Sequence, residues 1–145
     1  MNLNPYLNFE GTCREAMEFY AKILGGKILM MMTFADMPGD QSSMPENREL
    51  IAHARLAIGD EVLMASDAPA DRFEKPQGFY VTLSIKEPAE AERVYNALAE
   101  GGTVMMPIGE TFWAQKFGML KDRFGTPWMI NCERPNWQAQ ASSAA

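Results

Sequence analysis

The amino-acid sequence predicts an α+β fold built from two copies of one βαβββ module. Each half begins with a short alternating strand, continues into an amphipathic helix that ends in Gly-Gly, and returns to strand and an apolar hairpin. The first copy begins at Asn4 and the second at Phe79. Because one module cannot bury both faces of its own small sheet, we expect the paired modules to form a curved mixed sheet with a central cleft.

The first module should contain a helix over residues 13–24. Thr12 and Glu15 have the spacing of a capping box, and Gly25 with Gly26 supplies a left-handed stop. Its strands are predicted at 5–9, 27–34, 50–58 and 61–66, with Gly59-Asp60 as the hairpin turn. The long polar stretch 33–49 is expected to be either a lid or a mobile connection.

The second module should repeat this order with a helix over residues 88–100. Pro88 suits the first helical turn, where its missing N–H costs nothing, and Gly101-Gly102 ends the helix. The strands are predicted at 79–85, 103–108, 116–121 and 127–132, with Phe124-Gly125 as the turn.

The length of 145 residues fits one domain, predicted over residues 1–133. Its modules should lie at about 4–66 and 78–133, joined by a linker at 67–77. Residues 134–145 contain mostly small and polar side chains and are predicted to form a flexible tail.

Charge and cysteine content exclude several function classes. The net charge of −6 argues against nonspecific nucleic-acid binding, which requires clustered Lys and Arg. No apolar run approaches the ~20 residues that span a bilayer, and the N-terminus lacks the features of a signal peptide. Cys13 and Cys132 lie in different halves, which suits a reducing cytoplasm better than a disulfide framework. We therefore expect a cytoplasmic protein.

Strand alternation assigns one row of side chains on each strand to the predicted cleft. His53 shares its row with Ile51 and Arg55, and Tyr80 shares its row with Thr82. The predicted ligand-contacting residues are Tyr6, Arg55, Thr82, Trp113 and Trp128. The catalytic candidates are His53 as general base and Tyr80 as hydrogen-bond donor or acid.

Each of these residues also has a structural interpretation that the sequence leaves open. His53, the single histidine of the chain, could be a hydrogen-bonded structural residue, and Tyr80 could bind only a backbone carbonyl. The two tryptophans could serve for packing. Cys13 lies in the first turn of the predicted helix, where a helix dipole can activate a thiolate, but no base motif accompanies it.

Several segments together resemble the vicinal oxygen chelate superfamily, which includes glyoxalase I, extradiol dioxygenases and bleomycin- and fosfomycin-resistance proteins. Among them are YLNFEGTCREAMEFY, IAHARLAIGDEVLMASD and TFWAQKFGMLKDRFGTPWMIN, and the full set covers nearly all of residues 4–133. Within the superfamily the chain resembles the PhnB-like branch. The resemblance implies a glyoxalase/bleomycin-resistance-like fold, commonly assembled as a homodimer.

Metal enzymes of the superfamily use His or Glu at four strand positions, two in each module. By resemblance these positions fall on Pro5 or Tyr6, Leu63 or Met64, Tyr80, and Met129. None of these side chains is a good ligand for a hard divalent ion, and a catalytic site needs about three protein ligands. We therefore expect no metal and no cofactor.

The resemblance does not by itself determine a reaction. Many relatives are labelled 3-demethylubiquinone 3-methyltransferase, but the chain lacks the glycine-rich strand–helix turn of a nucleotide-like methyl donor. We expect a protein that binds a small organic molecule, without nucleic-acid or membrane partners. The alternatives are an enzyme of unknown substrate that uses His53 and an interaction module whose cleft is filled by methionines. A metal-dependent lyase, isomerase or dioxygenase is less favoured. Arg55 could hold a phosphonate.

Overall fold

A computed structural model describes residues 1–40 and 42–137 of the chain. The chain divides into two compact units, residues 1–75 and 76–145, called unit 1 and unit 2 below. Most of the predicted flexible tail, residues 138–145, lies outside the described residues.

Unit 1 consists of one helix and a four-stranded mixed sheet. Its elements are β1 (Tyr6–Phe9), α1 (Cys13–Leu24), β2 (Lys27–Thr33), a 3₁₀ helix (Phe34–Asp36), β3 (Ile51–Ile58) and β4 (Glu61–Asp67). The strand order is β1-β4-β3-β2. Strand β1 runs parallel to β4, and the other neighbours are antiparallel.

Unit 2 repeats this topology. Its elements are β5 (Val81–Ser84), α2 (Pro88–Ala99), β6 (Thr103–Gly109), β7 (Ala114–Lys121) and β8 (Pro127–Glu133). The strand order is β5-β8-β7-β6, again with one parallel pair at the edge. Two four-stranded mixed sheets, each with one helix, confirm the predicted α+β class and the paired βαβββ modules. Neither described helix is both long and apolar enough to cross a bilayer.

The helix of each unit packs against one face of its own sheet. In unit 1, α1 contacts β2, β3 and β4, and alternate strand residues such as Phe9, Leu56 and Leu63 are buried. The intervening residues point to the opposite surface, which we call the helix-free face. This face is where the predicted ligand-contacting residues of unit 1 should lie.

The Gly-Gly pair after each helix has the same structural role in both units. The first glycine adopts a left-handed conformation, with φ of 66° at Gly25 and 75° at Gly101. The second lies against a backbone carbonyl, since an added Cβ would come within 2.7 Å of the Ala57 oxygen at Gly26. At Gly102 the corresponding distance, to the Lys121 oxygen, is 2.3 Å. Only glycine lets the chain pass so close to the sheet.

The contacts of Asp67 show that two predictions were wrong, the capping box at Thr12 and the placing of Asp67 in the linker. Thr12 precedes α1 but its side chain makes no capping hydrogen bond, so the predicted capping box is wrong. Instead Asp67 Oδ1 accepts from the backbone N–H groups of Gly11 and Cys13 at 2.9 and 3.0 Å. Asp67 Oδ2 accepts from the N–H of Ile51 at 2.9 Å. Asp67 is therefore a buried junction of α1, β3 and β4, whereas the sequence assigned it to the linker.

The first residue of the predicted flexible tail is held by the loop before β7. The Arg134 guanidinium donates to the Thr111 carbonyl, with its Nη2 at 2.8 Å, and pairs with Glu110. Its backbone N–H donates to the Trp113 carbonyl at 3.1 Å. The ion pair with Arg134 lowers the pKa of Glu110. The hydrogen bonds of unit 2 thus extend to Arg134.

The predicted loop 33–49 begins with regular structure. The Thr33 hydroxyl accepts from the Asp36 N–H at 3.3 Å, and Asp36 Oδ2 accepts from the Thr33 N–H at 3.0 Å. These reciprocal bonds cap the 3₁₀ helix. The bonds that the Asp36 carboxylate accepts from the Thr33 N–H and hydroxyl lower its pKa. The lid role of this loop stays a prediction.

Candidate functional site

A row of cross-strand neighbours runs across the whole helix-free face of unit 1. Tyr6 on β1 lies opposite Met64 on β4, and Met64 lies opposite Arg55 on β3. Arg55 in turn lies opposite Met30 on the edge strand β2. Directly opposed residues point to the same face and contact one another. The row therefore brings the predicted residues Tyr6 and Arg55 together with two methionines.

His53 joins this row through a hydrogen bond with Tyr6. The Tyr6 hydroxyl lies 3.2 Å from His53 Nδ1, and the two rings are stacked with centroids 5.7 Å apart. The phenol and the neutral imidazole hold two polar hydrogens, and their mutual bond uses one of them. One donor of the pair therefore remains for another partner, whichever imidazole tautomer is present.

Arg55 is half-buried and has a weak partner. Its Nη1 lies 3.6 Å from the Met64 sulfur, and a thioether is a poor hydrogen-bond acceptor. The Arg55 side chain forms no ion pair with any residue in the described part of the chain. A guanidinium has five N–H donors, so most of its capacity is available.

The β3 row departs from the prediction at its first residue. Ile51 was expected on the same face as His53 and Arg55, but it is only 1% exposed. Between Met32 and Thr33 the β2–β3 register shifts. This irregularity changes the alternation at the start of β3, so Ile51 belongs to the buried side.

The strand registers show which residues of unit 2 are equivalent to the row in unit 1. The second glycine after each helix lies against Ala57 in unit 1 and Lys121 in unit 2, so these two residues are equivalent. Counting back three residues along β3 and β7 makes Gly118, which pairs with Ile130, equivalent to Ala54, which pairs with Ala65. Extending both registers makes Thr82 equivalent to Tyr6, and Met129 equivalent to Met64. Likewise Met119 and Phe117 are equivalent to Arg55 and His53.

The position assigned to Tyr80 by resemblance therefore belongs to Thr82. Tyr80 precedes β5 and is half-buried, whereas Thr82 is exposed on the strand. Within unit 1 the hydrogen-bond partner of His53 is Tyr6. The predicted pairing of His53 with Tyr80 stays a prediction.

The two candidate tryptophans have different surroundings. Trp113 is half-buried and packs edge-on against Phe112 and Phe117, with centroids 4.9 and 5.2 Å away. Trp128 is 1% exposed, and its indole Nε1 donates to Asp122 Oδ2 at 2.9 Å. This burial does not fit the ligand contact predicted for Trp128, because an enclosed indole leaves almost no surface for a ligand.

Asn131 is a residue that the sequence interpretation passed over. It shares strand parity with Met129, and its Oδ1 atom is buried without a hydrogen-bond partner. The alternation of β8 could have placed it on the helix-free face of unit 2. Its orphaned oxygen could not be foreseen, because that depends on neighbours across the sheet.

The positions that the resemblance assigns to metal ligands carry donors that do not fit a hard divalent ion. Tyr6 and Met64 supply a phenol and a thioether in unit 1, and Thr82 and Met129 supply a hydroxyl and a thioether in unit 2. Thioethers favour soft metals. Among residues 1–40 and 42–137, no three His, Cys, Asp or Glu side chains cluster as a metal site would need.

The cysteines have the environment of packing residues. Cys13 is fully buried, and this burial, with the nearby Asp67 charge, raises its pKa to about 12. The Cys132 thiol donates to the Lys86 carbonyl at 3.3 Å, and burial raises its pKa as well. Nucleophilic cysteines need the opposite shift, so the structure does not favour a thiolate at Cys13.

A separate groove lies on the other side of unit 1, beside the first turns of α1. Its volume is about 330 Å³, and its lining includes Arg14, Glu18 and Glu49. None of the predicted ligand-contacting or catalytic residues lines it. The helix-free face and this groove are therefore distinct features of the unit.

Comparison with known proteins identifies the family. A family profile described as 3-demethylubiquinone-9 3-methyltransferase matches residues 1–131. The chain belongs to this family. It is 37% identical over 139 residues to the protein YjdN of Escherichia coli, covering 90% of this chain and 95% of that protein. The crystal structure of PA1353 from Pseudomonas aeruginosa is 47% identical, with a TM-score of 0.85 over 92% of this chain and 98% of that one.

This family carries the label that the sequence analysis associated with the PhnB-like branch, so the predicted family is confirmed. The glyoxalase/bleomycin-resistance-like fold is confirmed as well. The fosfomycin resistance protein FosX from Listeria monocytogenes shares the fold, with 8% identity and a TM-score of 0.66 over 97% of both chains. That structure contains Mn(II) and dihydroxypropylphosphonic acid. At this identity the likeness concerns the fold alone.

Proposed function

We propose that this PhnB-like protein binds a small organic molecule on the helix-free faces of its sheets, without a divalent metal. The observation that carries the proposal is the row formed by Tyr6, Met64 and Arg55 with His53 beside it. A few polar groups among polarisable apolar side chains are typical of small-molecule sites. In unit 2, Thr82, Met129 and the half-buried Trp113 supply a hydroxyl and apolar contacts.

A thermal-shift screen of the full chain tests this function. The panel contains aromatic antibiotics and small organic acids, and a hit should raise the melting temperature in a concentration-dependent way. Tyr6→Phe and Trp113→Ala should each weaken that shift, while the surface variant Arg93→Met should not. If no compound stabilises the protein and Trp113→Ala alters no measured affinity, the proposal is rejected.

The metal-free part of the proposal rests on the donor set. Thioethers and neutral hydroxyls at the four superfamily positions bind Zn²⁺, Mn²⁺ or Fe²⁺ poorly. Elemental analysis of purified protein after mild chelation should therefore find well under one metal per chain. A stoichiometric divalent ion that survives chelation would contradict this part, whatever the screen shows.

The second candidate function is an enzyme of unknown substrate with His53 as general base. The Tyr6–His53 hydrogen bond favours it, because a hydrogen-bonded phenol orients the imidazole. Once a hit is known, turnover is followed by mass spectrometry. His53→Gln should lower any turnover by order 10² or more, and Tyr6→Phe should lower it less. Binding without turnover favours the first function.

Three further parts of the proposal concern reaction class, assembly and location. We propose no methyl transfer, and a cytoplasmic homodimer without nucleic-acid or membrane partners. Light scattering after size exclusion tests the dimer. Incubation with S-adenosylmethionine and a catechol tests methyl transfer, for which we expect no methylated product.

A further inference from the structure

We infer that the ligand of this site is a small organic anion, and that Arg55 binds its negatively charged group. The inference rests on the proposed binding function and names the class of molecule that it serves. It comes from the electrostatics of the helix-free face of unit 1.

Arg55 is a cation whose direct cross-strand neighbours are uncharged. Its cross-strand neighbours are Met30 on one side and Met64 on the other. The side chains that share this face on β1 and β4 are also uncharged, namely Tyr6, Asn8, Met64 and Ser66. An ion pair with any described residue is absent, and the Met64 sulfur at 3.6 Å is a weak acceptor. A half-buried guanidinium is stabilised far better by an oxyanion.

The other polar groups on this face complement the guanidinium. The Tyr6–His53 pair has one spare hydrogen-bond donor after its mutual bond at 3.2 Å. On the same face, the Ser66 hydroxyl donates to Asn8 Oδ1 at 3.1 Å, so these two side chains are already hydrogen-bonded to each other. An oxyanion at Arg55 could thus receive charge-assisted hydrogen bonds from the guanidinium and one neutral bond from the pair.

The methionines define the rest of the ligand. Met30 is 41% exposed and flanks Arg55, and thioether side chains adapt to apolar groups of varied shape. We therefore assign a compact anion, a carboxylate or phosphonate, attached to an apolar body. The overall charge of −6 would repel anions elsewhere, so a local cation would select the binding position.

The test compares matched probes on the full chain by isothermal titration calorimetry. The probes are phenylacetate, its neutral isostere phenylacetamide, and benzylphosphonate. The two anions should bind more tightly than the amide, and added NaCl should weaken them selectively. The stronger of the two anions distinguishes carboxylate from phosphonate recognition.

The variants Arg55→Met and Arg55→Gln should each lower anion affinity at least about tenfold, the order expected for a lost charge-assisted hydrogen bond. Arg93→Met removes the same charge from an exposed pair with Glu90 on α2 and should change nothing. Circular dichroism shows whether each variant is folded. If one Arg55 variant does not fold, the other is used for the binding measurement.

The outcomes separate the inference from the proposed function. Equal binding of phenylacetamide and phenylacetate, unaffected by either Arg55 variant, overturns the anion assignment and leaves small-molecule binding intact. Failure of all three probes and of the whole thermal-shift panel overturns both. Anion binding that persists in folded Arg55→Met and Arg55→Gln also overturns the assignment.

Discussion

Replacing Asp67 should destabilise unit 1 more than replacing any exposed acidic residue of the chain. Its carboxylate is 4% exposed and accepts from three backbone N–H groups, those of Gly11, Cys13 and Ile51, at 2.9 to 3.0 Å. Hydrogen bonds to a charged group contribute about 1.5–3 kcal/mol each, and they are not additive. Asp67→Ala leaves these donors without the carboxylate, so we expect a loss of about 3–5 kcal/mol in the free energy of unfolding.

Asp67→Asn keeps the size of the side chain but changes its hydrogen-bonding groups, so it measures the effect of the hydrogen bonds alone. The amide oxygen can keep the two bonds that Oδ1 accepts, but the amide NH₂ would face the N–H of Ile51. We expect a loss of about 1.5–3 kcal/mol. For a chain of this size, about 3–4 °C accompanies each kcal/mol, so Asp67→Ala should melt about 10–20 °C lower.

Urea unfolding followed by far-UV circular dichroism measures both losses. All three tryptophans lie in unit 2, so their fluorescence reports that unit separately. Hydrogen exchange at the amides of Cys13 and Ile51 should quicken in both variants, and the exposed Asp71→Asn is the control. A stability of Asp67→Asn equal to wild type would refute the reasoning, since it would show that the carboxylate adds nothing beyond an isosteric amide.

Three further predictions concern the two cysteines, Gly102 and Asn131. Cys13 and Cys132 should resist Ellman's reagent at pH 8 until the protein is unfolded. Because the pKa of Cys13 is raised from 9.0 to about 12 on folding, the free energy of unfolding should fall as the pH rises between these two values. Fast labelling of the native protein would contradict both expectations. Gly102→Ala should cost about 2 kcal/mol or more because its Cβ would meet a backbone carbonyl at 2.3 Å, whereas Gly109→Ala, with its nearest contact at 4.0 Å, should cost far less by urea unfolding. Asn131→Leu should raise the melting temperature, since an orphaned buried oxygen costs about 1–3 kcal/mol; an unchanged or lower value would indicate that the amide has a partner.

The helices could be predicted from the sequence because their boundaries depend on adjacent residues. The predicted span 13–24 and Cys13–Leu24 coincide, since Gly25 ends the helix locally. Pro88 begins α2 as expected. The buried junction at Asp67 could not be predicted, because its hydrogen-bond partners lie 16 to 56 residues away in the chain.

Strand alternation could predict which side chains share a face where the strands pair without a register shift. Tyr6 and Arg55 came to one face because β1, β3 and β4 pair without a shift there. Ile51 was misplaced by an irregularity between β2 and β3. Trp128 was misjudged although β8 alternates regularly, because it shares the parity of the buried Ile130 and not that of Met129 and Asn131.

The two units share a topology, but equivalent positions have different chemistry. Arg55 and His53 in unit 1 correspond to Met119 and Phe117 in unit 2, by the registers of β3–β4 and β7–β8. Charge and proton-exchanging groups are thus confined to one unit at these positions, and apolar side chains occupy the other. Within unit 1, the Arg55 cation and the flanking thioethers of Met30 and Met64 supply both polar and apolar contacts on one face. This combination favours the proposed organic ligand.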